Sequence, residues 1–258
     1  TQDGSGSNQM ATEQGFYGLV AAQRAAEGRS SFYRMSDALS IPDAVETEMS
    51  GQGQGLEGKD PAVTAQPITS PGKTFPDIAF SDQITAIEAL AARGIIDGKS
   101  DGNFDPDGSM TRAEFATIVV RALGLTPADT GAFVDVASTA WYSPYVGAAS
   151  TYGLINGVGE GRFSPDGTIT RQEAAVMVSR AAELCGLETE MDTAAVRNML
   201  AQFPDYMSSA EWARAQLAFC YQEGILSQTE LNVRPQDAVT RAEVAQMLFN
   251  LLSSAELL

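Results

Sequence analysis

The chain has 258 residues, 33 of them acidic against 16 basic, a formal net charge of −17 and no histidine. So large an acid excess argues against non-specific binding to nucleic acid or to an anionic membrane surface. The absence of histidine excludes Ser-His and Cys-His catalysis and histidine-held metals, and no apolar stretch is long enough to insert across a membrane.

Residues 1–49 read as an N-terminal extension. It holds a predicted helix, Met10 to Ala26, with Phe16, Tyr17, Val20 and Ala21 on one face and Gly28 as its stop, and shorter predicted helices around Pro42 between Ser36 and Met49. This extension carries no chemical motif and is a candidate docking segment for a protein partner. From 50 to 74 glycine, glutamine and proline dominate, which is the composition of a linker.

Beyond residue 74 the sequence repeats itself, and a constant internal length marks one structural module used three times. Phe75-Pro76-Asp77, Phe133-Val134-Asp135 and Phe203-Pro204-Asp205 each stand 36 or 37 residues before a Thr-Arg-x-Glu tetrapeptide. The modules span 75–125, 133–187 and 203–254. In the first, a helix is predicted from about Gln83 to Arg93, with Ile84, Ile87, Leu90 and Ala91 as its apolar stripe and Gly94 as its terminator. A loop rich in Asp and Gly follows, from Asp97 through Gly98 to Gly108. The second module copies this with Trp141-Tyr142, Gly153 and Gly157. Between 188 and 202, Ala195, Val196, Met199 and Leu200 fall at helical spacing and predict an inserted helix. The third module keeps Trp212 and Gly224, but its loop, Ser227 to Pro235, has lost the glycines.

Each tetrapeptide is a capping box: Thr111 with Glu114, Thr170 with Glu173, Thr240 with Glu243. The apolar faces behind them are helical in period: Phe115, Ile118, Val119, Ala122; Ala174, Met177, Val178, Ala181; Val244, Met247, Leu248, Leu251. Local structure therefore accounts for threonine and glutamate. It does not account for Arg112, Arg171 and Arg241, which occupy the first helical position, where the macrodipole mildly disfavours a cation. Two compatible roles suit them. One is to grip a carboxylate or phosphate beside the helix N-terminus. The other is a structural ion pair with the module's own Phe-x-Asp aspartate or a loop carboxylate.

Asn103, Asp105, Asp107 and Glu114 match the spacing of a calcium loop with Gly108 at its turn. The capping box already claims Glu114, and the second module has Arg162 and Ser164 in place of two of these ligands, so the metal reading is the weaker one. The many carboxylates form no pattern that separates a glycosidase pair from solvated loop acids. Of the two cysteines, Cys220 falls at a core position and Cys185 ends a helix. A disulfide between them would tie the second module to the third, and spacing leaves that open.

These residues, above all Met-Thr-Arg-Ala-Glu, Ile-Thr-Arg-Gln-Glu and Val-Thr-Arg-Ala-Glu at 110–114, 169–173 and 239–243, resemble the S-layer homology (SLH) family in three tandem copies. The resemblance implies an all-α fold, three helix-loop-helix repeats in a pseudo-threefold bundle with grooves between neighbours. It implies an extracellular, non-enzymatic module at the cell wall, without cofactor. Such a module anchors a surface protein non-covalently by binding a secondary cell-wall polysaccharide, acidic through pyruvate ketals. Carried over, Arg112, Arg171 and Arg241 would hold the carboxylate, Asp77, Asp135 and Asp205 with Gly98 and Gly157 would shape the grooves, and Trp141 and Trp212 would stack on sugars. The second repeat is nearest the family pattern, which favours a groove using Arg171 and Trp141 and leaves the third repeat to architecture. The alternative is a structural or protein-interaction module, such as a surface-layer subunit whose grooves serve assembly.

Overall fold

The structure, a computed structural model, describes residues 53–258; the predicted helix at 10–26 and the rest of the extension lie outside them. Among the described residues there are seven α-helices and no strand: α1 Ile84–Ala92, α2 Arg112–Ala122, α3 Ser143–Thr151, α4 Arg171–Leu184, α5 Thr193–Leu200, α6 Arg214–Gln222 and α7 Arg241–Ser254. The fold is all-α. None of these helices is long and apolar enough to cross a membrane.

The three capping boxes start α2, α4 and α7. Thr111 N donates to Glu114 Oε2 at 2.8 Å, Thr170 N to Glu173 Oε2 at 2.9 Å, and Thr240 N to Glu243 Oε2 at 2.8 Å. The predicted apolar faces of all three are buried. So are Ala113, Ala116, Thr117 and Val120 on the remaining sides of α2, because α2, α4 and α7 pack against one another as a central bundle. The Thr117 hydroxyl survives there by donating to the Ala113 carbonyl at 2.8 Å.

The first helix of each repeat packs on the second helix of its predecessor: α3 on α2, α6 on α4, and α1 on α7. The boxes follow the same rule. Arg112 N and Ala113 N donate to the Gly167 and Pro165 carbonyls of the second loop. Arg171 N and Gln172 N reach Asp237 and Pro235 of the third, and Arg241 N and Ala242 N reach Gly108 and Pro106 of the first. The amides that a helix start leaves unpaired are thus satisfied by the next repeat, and the third repeat closes on the first. The inserted helix α5 lies against α6, with Leu200 buried.

One expectation needs correction, and one open point is decided. The stretch read as a linker is, over its described part, a packed strap. Gly55 N donates to Glu256 O, Asp60 N to Leu184 O, Thr64 N to Leu123 O, and Thr69 N to Ala92 O, each within 2.8–2.9 Å. It thereby caps the C-terminal ends of α7, α4, α2 and α1 in turn, and Val63 is fully buried. Gly53 serves close approach rather than freedom: a Cβ there would lie 2.1 Å from the Glu256 carbonyl oxygen. Cys185 and Cys220 are buried free thiols, not a disulfide. Burial raises both thiol pKa values, that of Cys185 to about 12, so neither is a reactive thiolate near neutral pH.

Candidate functional site

The arginines of the boxes are buried, and their partners lie in the following repeat. Arg112 donates from Nη1 to Glu173 Oε1 at 2.6 Å and from Nε to the Phe163 carbonyl at 2.9 Å, with its guanidinium 5.0 Å from the Phe163 ring centre. Glu173 therefore serves two helices: one oxygen caps α4, the other holds Arg112. Arg171, only 2% exposed, repeats this with Glu243 Oε1 at 2.8 Å and adds Glu230 Oε1 at 2.5 Å. Arg241 closes the circle on the first loop, donating from Nε to Phe104 O and from Nη2 to Asp97 O, both at 2.7 Å. None of the three pairs with the aspartate of its own repeat, but Arg171 does hold a loop carboxylate, Glu230 of the third loop. The ion pairs formed by Arg112 and Arg171 join one box to the next.

The Phe-x-Asp aspartates work within their own repeats. Asp77 accepts from Phe104 N and Asp105 N at 2.8 and 2.6 Å, Asp135 from Phe163 N and Ser164 N at 2.8 Å each, and Asp205 from Val233 N and Arg234 N at 2.8 Å each. The second residue of each pair has positive φ, 61° at Asp105, 58° at Ser164 and 50° at Arg234, which turns two successive amides toward one carboxylate. Burial works to raise the pKa of Asp77 and Asp135, but those amides outweigh it and leave both lowered. Two of the calcium-loop candidates have other partners in this geometry. Asp105 pairs with Lys99 at 2.6 Å and Glu114 caps its helix. Among the described residues no three His, Cys, Asp or Glu side chains gather as a metal site.

One concave site collects residues from all three repeats, a cavity of about 460 Å³. Arg112 comes from the first repeat, Gly157, Glu173 and Arg180 from the second, Trp212 and Gln216 from the third. Trp212 stands 58% exposed in a 3₁₀ turn, Glu211–Ala213, so its ring face is free to stack. That turn is tethered because Ala210 N donates to the buried Gln172 Oε1 at 2.9 Å. Gly157 sits where a Cβ would meet the Arg162 carbonyl at 2.4 Å, so the loop edge of the cavity is necessarily bare backbone.

The groove expected to hold Arg171 and Trp141 is not this one. Trp141 is 59% exposed, its ring set edge-on to Tyr142 at 5.4 Å, and it does not line the cavity. Arg171 has Nη1 and Nη2 on two carboxylates. Gly98 is the first-repeat counterpart of Gly157, packed under the Phe75 ring, and Arg241 donates to the Asp97 carbonyl of the same loop. Two lining residues, Arg180 and Asn156, belong to none of the repeat motifs.

Comparison with known proteins agrees with this architecture. The S-layer homology domain matches residues 74–116, 132–175 and 202–245. An amylopullulanase of Thermoanaerobacterium thermosulfurigenes is 34% identical over 71% of this chain and 10% of its own length. The exoglucanase XynX of Acetivibrio thermocellus is 32% identical over 78% of the chain and 18% of itself. The S-layer protein sap of Bacillus anthracis is 32% identical over 72% and 22%. The chain thus spans about a tenth to a fifth of the length of these relatives. With three matched repeats arranged as a closed ring, the chain belongs to the S-layer homology domain family, the anchoring module of cell-surface proteins.

Proposed function

We propose that the cavity bordered by Arg112, Gly157 and Trp212 binds an acidic secondary cell-wall polysaccharide, with pyruvate ketals as its anionic groups, and so anchors the protein without a covalent bond. The observation that carries this reading is the meeting of an exposed aromatic face, bare loop backbone and guanidinium groups in one cavity. A sugar presents an apolar face for stacking, hydroxyls for backbone groups and, when ketal-bearing, a fixed carboxylate. Residues 75–258 hold 24 acidic and 11 basic residues, so the polymer binds against the overall field and moderate salt assists it. The chain acts here as a binding module, not as a catalyst.

Retention on purified wall polymer tests this. Trp212 is exposed, so Trp212→Ala leaves the fold within about 0.5 kcal/mol and lowers polymer affinity about 10-fold, the order expected for a lost stacking contact. Equal retention of wild type and this variant would sink the reading. Surface-layer proteins among the relatives favour one alternative, use of the grooves for subunit assembly; ordered self-association without polymer is its signature.

A further inference from the structure

The two complete loops differ at several residues, and one of these differences changes the charge of the cavity. Ten residues after the threonine of each box stands Arg121 in the first repeat, Arg180 in the second and Asn250 in the third. Arg121 is neutralised: its Nη1 lies 3.0 Å from Asp97, which also pairs with Lys73 at 2.9 Å. The residue matching Asp97 in the second repeat is Asn156. With its amide oxygen turned to the arginine, Asn156 accepts from Arg180 Nη2 at 2.8 Å and donates to Ile155 O at 3.2 Å. Arg180 is thereby held in place by a neutral group.

Among the described residues Arg180 forms no ion pair, and its only other polar contact is a long one, 3.5 Å to the Leu154 carbonyl. Glu183, one turn along α4, acts on it only through space, and burial lowers its pKa while leaving it a cation. The other two charges of the cavity cancel, since Arg112 and Glu173 are paired at 2.6 Å. Arg180 is the one uncompensated charge in the lining.

We propose that Arg180 is the residue that recognises the anionic group of the ligand in this cavity, and that Asn156 in place of aspartate keeps it available. The ligand class is a carboxylate-bearing sugar, a planar anion that a guanidinium fork meets with two hydrogen bonds. Arg112 then acts mainly as the joint between the first two repeats and shapes the wall. This rests on the glycan-binding reading above and assigns its charge recognition to a residue outside the repeat motifs.

The test uses isothermal titration of the whole chain with wall polymer bearing pyruvate ketals and with the same polymer after mild acid has removed them. Wild type prefers the ketal-bearing polymer by about 10-fold or more, the worth of a charge-assisted pair. Arg180→Gln loses that preference while keeping its weak binding to the stripped polymer. Asn156→Asp does the same without removing any cation, because it recreates the self-pairing of Asp97 with Arg121, and its melting temperature is not lowered. Ketal preference retained in both variants, with Trp212→Ala still impairing binding, would overturn this proposal and leave the glycan reading standing. A wild type that binds neither polymer overturns both.

Discussion

The joint between the first and second repeats and the joint between the second and third are built from the same tetrapeptide but have different fates. At the first, Arg112 gives one terminal nitrogen to Glu173 and borders an open cavity. At the second, Arg171 has both terminal nitrogens on carboxylates, Glu243 and Glu230, while Arg234 adds contacts to the same two acids at 2.8 and 3.0 Å. Glu230 belongs to the loop that lost its glycines. A side chain of the protein itself holds the second terminal nitrogen of the arginine there. A shared motif therefore marks a shared joint, and the joints differ in whether they also border an open cavity.

The sharpest way to break this comparison is Arg171→Ala. It leaves two partly buried carboxylates and the neighbouring Arg234 without their central cation, and about 3 kcal/mol of stability should be lost, near the lower end of the range for breaking a buried pair. Chemical denaturation measures this, and polymer affinity of the folded fraction stays at the wild-type value. A midpoint unmoved by the substitution would mean that the joint is not held by its ion pairs.

Acid is the next lever. Burial works to raise the Glu243 pKa, but the Thr240 amide, Arg171 and Arg234 together bring it below its ordinary value. Asp77 and Asp135 are lowered likewise. A carboxyl depressed in the native state contributes stability above its unfolded pKa, about 4 for these residues, and that contribution fades as pH falls through the native value. Melting temperature should hold between pH 7 and pH 5 and drop below about pH 4. Relief of the overall acidic repulsion acts the other way but is screened by salt. A melting temperature that rises steadily on acidification would show that repulsion, not pairing, dominates.

The smallest effect is expected from Glu230→Gln. The amide oxygen still accepts from Arg171, so stability changes by about 1 kcal/mol or less, and titration with polymer still gives one site, because the third repeat has Asn250 where the second has Arg180. A second binding site appearing in this variant would show that Glu230 alone closes that groove.

Much of the fold was legible because its signals are local. Capping boxes, apolar periods and the terminating glycines involve residues within one turn of each other, and the spacing of Ala195, Val196, Met199 and Leu200 marks α5. The partners of the arginines were not legible. They lie 61 and 72 residues away for Arg112 and Arg171, and 137 or more for Arg241, whose contacts close the ring. One signal did exist. Three arginines at the first helical position and three glutamates at the third offer a cyclic pairing that no single repeat can satisfy. Closeness of the second repeat to the family pattern points to Arg171 with Trp141, whereas the cavity described above draws Arg112, Gly157 and Trp212 from three different repeats. The strap was misread because glycine and proline remove helical and strand periodicity whether a segment is loose or pressed against carbonyl groups.

That strap has a mechanical meaning for an anchor. Tension entering the strap at Gly53 meets backbone attachments to Glu256, Leu184, Leu123 and Ala92 before it reaches any interior helix. Because those residues follow helices of all three repeats, the pull is divided among them. The element that looks most like a tether is the one that spreads the load.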